Sequence, residues 1–191
     1  MSHNKRIVIF ASGNGTNAQR IVEYFAGTSV STALILTNNP KAGVLKRAKN
    51  LDVSTISFNR KCFYETDQIL AVLKEINPHL IVLAGFLWLF PKNILQEFPG
   101  KVINIHPALL PDFGGKGMYG TRVHEAVIAA GKTESGISIH EVNPVYDEGK
   151  LIFQAKTPIS KGETAASLVK KIHALEYEHF PRVIAELLEE Q

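Results

Sequence analysis

Short apolar runs alternate along the chain with longer stretches in which apolar residues recur every three or four positions. This is the pattern of a parallel sheet with helices on its faces. Residues 6–11, 32–37 and 53–58 read as strands. Residues 16–25 read as a helix with Ile21, Val22 and Phe25 on one face and Gly27 as its stop, and 43–50 as a shorter one. The spacing predicts a helix over 63–76, closed by Asn77-Pro78, then a strand over 80–84 whose unbroken apolar run suits burial on both faces. A short helix near 93–97 leads to a strand over 101–106 and a proline-rich stretch from Pro107 to Pro111. The glycine-dense segment 113–120 is expected to be a mobile loop. Residues 123–130 read as a helix stopped by Gly131, and 136–142 and 151–157 as two further strands. From Glu163 onward apolar residues keep a helical period, and Pro181 is expected to kink or restart that helix. No repeat, linker or change of composition divides the chain, so the expectation is one α/β domain over 1–191, with a mostly parallel central sheet and helices on both faces.

Composition narrows the function classes. Of 191 residues, 45% are hydrophobic and 20% charged, which fits a folded globule and excludes disordered or low-complexity character. The net charge of +3 comes from 21 basic and 18 acidic residues with no basic block. Nucleic acid is therefore not expected as a partner, while a small anionic substrate is allowed. The single cysteine, Cys62, excludes an internal disulfide framework and a cysteine-based zinc site. The apolar run 7–11 is too short for a signal-peptide core and no stretch approaches a membrane span, so the expected location is the cytoplasm.

Chemistry concentrates at three places. Ser12-Gly-Asn-Gly-Thr-Asn17 follows the first strand and opens the first helix, where small residues let the backbone approach an anion and the helix supplies unpaired N–H donors. Only two glycines are present and no acid ends the second strand, which favours a monophosphate over a dinucleotide. A tight turn with Thr16 as N-cap is compatible with the same residues. At the second place, Asn104 and His106 share one face near the C-terminal end of a strand, where open α/β sheets keep their ligands. A histidine suits general acid/base work and an amide can donate to an oxyanion, which together suggest acyl chemistry. Ser12 and Ser135 lack an elbow motif, so direct transfer between two bound substrates is more natural than a covalent acyl-enzyme. A hydrogen-bonded core pair is the plain alternative.

The third place is Tyr146-Asp-Glu-Gly149, one of whose carboxylates could orient His106, although an isolated Asp147 in a loop is more often a solvated turn residue. Glu176 falls at the edge of the last helix's apolar seam, a position from which carboxylates usually reach solvent. His79, His124, His140, His173 and His179 have no metal-ligand spacing, and no metal is expected.

In order along nearly the whole chain, Ser-Gly-Asn-Gly-Thr-Asn17, Val-Leu-Ala-Gly-Phe86, Ile-Asn-Ile-His-Pro-Ala-Leu-Leu-Pro111, Tyr-Asp-Glu-Gly149 and Glu176 within Leu-Glu-Tyr-Glu-His-Phe-Pro181 resemble the folate-dependent phosphoribosylglycinamide formyltransferases of purine biosynthesis. The resemblance implies a single-domain, Rossmann-like formyltransferase fold and transfer of a formyl group from 10-formyltetrahydrofolate to the amine of glycinamide ribonucleotide. It implies that Asn104 holds the formyl oxygen, that His106 is the acid/base and that Asp147 pairs with and tunes it. It assigns the substrate phosphate to Gly13, Asn14, Gly15, Thr16 and Asn17, and the ribose hydroxyls to Glu176. The folate would meet Lys61, Leu87, Trp88, Leu89, Phe90, Asn104, His140, Asn143, Pro144 and Val145. The implied partners are the two small-molecule substrates, with no nucleic acid, membrane or metal, in a monomer or homodimer.

Two departures stand out. Trp88 occupies a position where the family often has a basic residue, and the 114–120 loop is longer and richer in glycine than the commoner version. The rival readings are a formyltetrahydrofolate hydrolase or a transfer-RNA formyltransferase, for whose usual additional domain 191 residues leave no space, and a non-catalytic sugar-phosphate or nucleotide-binding module.

Overall fold

The computed structural model describes residues 4–190, so residues 1–3 and 191 of the expected 1–191 domain lie outside the described residues. The first half of the chain runs β1 (Lys5–Phe10), α1 (Thr16–Phe25), β2 (Val30–Thr37), α2 (Gly43–Asn50), β3 (Thr55–Ser57), α3 (Arg60–Tyr64), α4 (Gln68–Ile76) and β4 (Leu80–Leu83). The second half runs α5 (Lys92–Glu97), β5 (Val102–His106), α6 (Thr121–Ala129), β6 (Glu134–Glu141), β7 (Leu151–Pro158) and α7 (Ala165–Glu189). The strands form one seven-stranded sheet in the order β3-β2-β1-β4-β5-β6-β7. Pairing from β3 to β5 is parallel, and β6 pairs antiparallel with both β5 and β7.

Period-two alternation sends successive residues of β1 to opposite sides of the sheet. Ile7 and Ile9 join a core with Ile21, Val44, Val127, Ile172 and Phe180, from the helices α1, α2, α6 and α7. Val8 and Phe10 face a second core with Phe63, Ile69, Leu73 and Ile94, from α3, α4 and α5. The order of strands reverses between β1 and β4, and the segments leaving their C-terminal ends are tied together there. The Ser12 N–H donates to the Gly85 carbonyl at 3.0 Å, and the Leu87 N–H to Ser12 Oγ at 3.0 Å. Such a switch point opens a crevice at the carboxyl edge of the sheet.

Two elements differ from the pattern reading. The helix expected over 63–76 is two helices, because Thr66 takes over the backbone between them. Its hydroxyl donates to the Cys62 carbonyl at 3.2 Å and accepts from the Gln68 N–H at 3.4 Å, a local alternative to the helical ladder. Conversely, α7 does not restart at Pro181 but runs through it. Proline cannot supply the N–H that the Tyr177 carbonyl would receive one turn back. Arg20 on α1 supplies a donor instead, its Nε reaching that carbonyl at 3.4 Å. The helix begins at a capping box between Thr164 and Ser167.

Candidate active site

The turn after β1 brings the chain into α1 through Gly15, whose φ of 75° lies in the left-handed region. A Cβ there would sit 2.4 Å from Val44 Cγ2, so both the conformation and the closeness of α2 require glycine. Gly15, not Thr16, is the cap residue, and no side chain caps the helix, which leaves first-turn N–H groups free of side-chain partners. Arg47 of α2 braces this turn by donating from Nε to the Asn14 carbonyl at 2.8 Å, and it also bonds Gln19. Thr16, Gln19, Arg20, Arg47 and Tyr177 line a cleft of about 560 Å³ beside it.

Glu176 belongs to the same corner. It lies between α7 and α1, 6% exposed, and accepts a 3.0 Å bond from Asn17 Nδ2. Burial pushes its carboxyl up to about 7, against the opposing effect of the Asn17 amide. The helix-edge position thus buries the carboxylate instead of releasing it to solvent.

At the same edge of the sheet, β5 ends in Asn104 and His106. The antiparallel register sets His140 opposite Asn104 and Ser138 opposite His106. His140 is buried, with Nδ1 at 2.8 Å from its neighbouring Glu141 carbonyl and Nε2 at 3.1 Å from Asn104 Nδ2. A carbonyl only accepts, so Nδ1 donates to it, and the other nitrogen, Nε2, takes an N–H of the Asn104 amide. That bond orients Asn104 and leaves its second N–H for another acceptor.

The ring of His106, 3% exposed, donates from Nε2 to the Phe113 carbonyl at 2.8 Å. Its Nδ1 faces Asp147 Oδ2 at 3.6 Å, while Asp147 Oδ1 lies 3.6 Å from His140 Nε2. Burial lowers the His106 pKa, opposed by the Asp147 charge and the Phe113 carbonyl and reinforced by His140. For Asp147 burial acts upward, but the nearby rings of His140 and His106 and the Gly115 N–H, donating at 2.9 Å, together hold the carboxyl below its ordinary value. Asp147 itself adopts a left-handed φ of 57°, a conformation an aspartate tolerates better than most residues.

Gly149 explains how a loop between two strands folds back onto the histidines. A Cβ there would lie 1.6 Å from the Glu141 carbonyl oxygen, so only glycine allows the 143–149 loop to lie against β6. The β6–β7 register shifts between Ile139 and His140 at the same level, and such irregularities re-aim side chains.

The remaining candidates lie around the loop that leaves β4. Leu87 is exposed and Phe90 buried, while Trp88 packs against Phe58, Phe63 and Tyr64 at ring separations of 6.0 Å. The Arg60 guanidinium lies over Trp88 at 5.0 Å and over Tyr64 at 5.2 Å. Positive charge from α3 therefore lies over Trp88, where the resemblance leads to the expectation of a basic residue. Lys61 is exposed on α3 next to Arg60, Leu89 is half-buried, and its carbonyl accepts the Tyr64 hydroxyl at 2.9 Å. Asn143 Oδ1 accepts the Val145 N–H at 2.9 Å and shapes a turn that leaves Pro144 and Val145 exposed. Among the described residues no group of three His, Cys, Asp or Glu could hold a metal ion. One partner of the catalytic candidates escapes pattern reading, because the Phe113 carbonyl carries no side-chain signature. His140, which the resemblance names for the folate, is placed against Asn104.

Comparison with known proteins agrees with this geometry. A family model described as formyl transferase matches residues 5–184. The chain is 34% identical over 98% of its length to a chloroplastic phosphoribosylglycinamide formyltransferase of Arabidopsis thaliana, of which it spans 66%, just under two thirds. It is 35% identical to the phosphoribosylglycinamide formyltransferase of Bacillus subtilis, with 96% of this chain and 95% of that protein covered. Among solved structures, a glycinamide ribonucleotide transformylase 1 from Geobacillus kaustophilus superposes with a TM-score of 0.88 at 36% identity, covering 97% of this chain and all of that one. A family match over nearly all described residues, joined to this identity and shared fold, shows that the chain belongs to the formyl transferase family.

Proposed function

We propose that the chain is a folate-dependent phosphoribosylglycinamide formyltransferase. It moves a formyl group from 10-formyltetrahydrofolate, a co-substrate, to the amine of glycinamide ribonucleotide in de novo purine biosynthesis. The observation that carries this reading is the cluster of Asn104, His106, His140 and Asp147 at the carboxyl edge of the sheet that also holds the uncapped α1 turn. The relatives in Arabidopsis thaliana and Bacillus subtilis bear the same activity in their names.

In this reading the backbone from Gly13 to Asn17 takes the substrate phosphate at the N-terminus of α1. Glu176 takes the ribose hydroxyls, and the amine reaches the end of β5. The folate lies along the segment from Leu87 to Phe90 and against Asn143, Pro144 and Val145, with Arg60 and Lys61 toward its acidic tail. The amine nitrogen attacks the formyl carbon, a C–N bond forms, and the carbonyl electron pair moves onto oxygen. The free N–H of Asn104 and protonated His106 stabilise that oxyanion, a contribution of ~2.7–4 kcal/mol for one such donor. Collapse breaks the bond to the folate nitrogen. His106 Nδ1–H gives its proton to that nitrogen, and the proton lost by the amine, passing through a water bound to Asp147, restores it. The reaction so written needs no metal. We further propose that it runs in one catalytic domain, as a monomer or homodimer in the cytoplasm, without nucleic-acid or membrane partners. Among the described residues no helix is long and apolar enough to cross a membrane.

The test is an absorbance assay of folate deformylation by the purified chain, with and without glycinamide ribonucleotide and with the product mass measured. Turnover only when the ribonucleotide is present, yielding its formylated form, is the expected result. Equal turnover without it would replace the transferase by a hydrolase, and binding without turnover would leave a sugar-phosphate-binding module.

A further inference from the structure

Residues 108–110, just beyond His106 and Pro107, are held from β6 and β7. Ser138 is fully buried and sits opposite His106 in the β5–β6 register. Its hydroxyl donates to the Ala108 carbonyl at 2.7 Å and accepts from the Leu110 N–H at 2.9 Å and from Gln154 Nε2 at 2.8 Å. One donor and two lone pairs are the full capacity of a hydroxyl. Gln154, the register partner of Ser138 on β7, also donates to the Leu110 carbonyl at 3.0 Å. The Leu109 side chain lies over Gly136, filling the space a Cβ would take.

The backbone just C-terminal to this anchored stretch makes both contacts to the acid/base pair. The Phe113 carbonyl accepts His106 Nε2–H, and the Gly115 N–H donates to Asp147 Oδ2. Phe113 does so from a φ of 56°, a backbone region uncommon for an aromatic residue and sustained only where its surroundings impose it.

We propose that Ser138 and Gln154 form a clamp that positions the 108–115 segment, and through it fixes the tautomer of His106 and its setting against Asp147. Both are positioning residues: Ser138 is sealed from solvent, and each acts through main-chain groups that in turn hold His106. The kinetic consequences rest on the proposed formyl transfer, whereas the effect on the His106 ring does not. The titratable groups acting on that ring are Asp147 from the 143–149 loop and His140 from β6, and the ring in turn acts on His124 of α6.

The experiment compares Gln154→Leu, Ser138→Ala and the hydroxyl-retaining Ser138→Thr with the unaltered chain. The readouts are kcat and KM for both substrates, the pH profile of kcat, thermal denaturation, and nitrogen NMR of His106 in the substrate-free protein. Small displacements of a reacting group are costly, so kcat is expected to fall about tenfold or more in Gln154→Leu with both KM values nearly unchanged. The acidic limb of the profile is expected to move to lower pH, because the carbonyl and the carboxylate that both raise the His106 pKa lose their hold. The NMR spectrum is expected to show a mixture of ring tautomers in place of the single Nε2–H form, and Ser138→Thr to recover most of the loss seen in Ser138→Ala. Unchanged His106 resonances and pH limb in a folded Gln154→Leu would overturn the clamp, whatever happened to its melting temperature. If Ser138→Ala fails to fold, Gln154→Leu decides alone. Should the unaltered chain show no transfer, the proposed function fails, while the NMR comparison still decides for or against the clamp.

Discussion

At the α1 turn, the residues offered to a phosphate are consecutive, Gly13 to Asn17, and their geometry is set by one left-handed glycine and the start of one helix. Around His106, the partners come from β5, β6, the 107–120 segment and the 143–149 loop. The first region is built by local backbone and only afterwards buttressed by Arg47 and Glu176. The second exists only when separate segments return to one place. A change within the first should therefore cost ligand binding, and a change within the second should cost the chemical step.

The sharpest way to break that division is to remove the proposed acid/base. His106→Ala is expected to lower turnover by ~10²–10⁴ while leaving affinity for the phosphate-bearing substrate within a few fold, measured by steady-state kinetics beside calorimetric titration. Equal losses in both would show that the two regions are not separable. Gly149→Ala comes next. Its Cβ cannot share space with the Glu141 carbonyl, so the 143–149 loop must lift and carry Asp147 away from His106. A loss of about 10² in kcat, with phosphate-substrate binding retained, is the expected outcome. Retained activity would mean that Asp147 does not need this placement.

The same division decides what is legible in the sequence. Strand alternation, the glycine-rich turn and the pairing of Asn104 with His106 on one face are periodic or contiguous, and all three are visible before any fold is known. The 65–67 break between α3 and α4 is hidden because the apolar period of 63–76 continues across it, and a hydroxyl bonding to nearby backbone leaves no mark on that period. The unbroken passage through Pro181 is hidden for the opposite reason, since the donor that offsets the missing N–H is on Arg20, far away in sequence. Glu176 reads as a solvent-facing helix edge because its burial is imposed by α1, not by its own helix. Motif resemblance recovers Asp147, and glycine at 149 is its physical clue.

Glu176 sharpens the comparison from the side of stability. Its carboxyl, buried and raised to about 7 from an ordinary value of 4.5, favours the protonated form when folded. Between those two values the native state binds more protons than the unfolded state, so its contribution is present below pH 4.5 and lost as pH rises through 7. Glu176→Gln keeps an oxygen for Asn17 and removes the charge. At pH 8 it is expected to stabilise the chain by up to roughly 3 kcal/mol at 1.36 kcal/mol per pKa unit, and by little at pH 4.5. Denaturant unfolding at both values measures this, and a pH-independent difference would refute it. The same variant should weaken ribonucleotide binding more than it lowers kcat.

His124 gives a smaller effect of opposite sign, on α6 between the two regions. It is 3% exposed, and its Nδ1 has no hydrogen-bond partner among the described residues. Burial, with the charges of His173 and His106, lowers its pKa from 6.5 to about 4. Here the unfolded chain binds the extra proton, so native stability falls as pH drops from 6.5 toward 4. His124→Leu removes that dependence. At pH 5 the gain relative to pH 8 is expected to be roughly 2 kcal/mol, at 1.36 kcal/mol per unit over the interval from 6.5. The comparison between the two pH values cancels any packing cost of the substitution, which is the same at both. A flat difference between variant and parent would mean that His124 finds a partner in solution, and the acid sensitivity of the fold would then rest on other groups, the cluster around His106 among them.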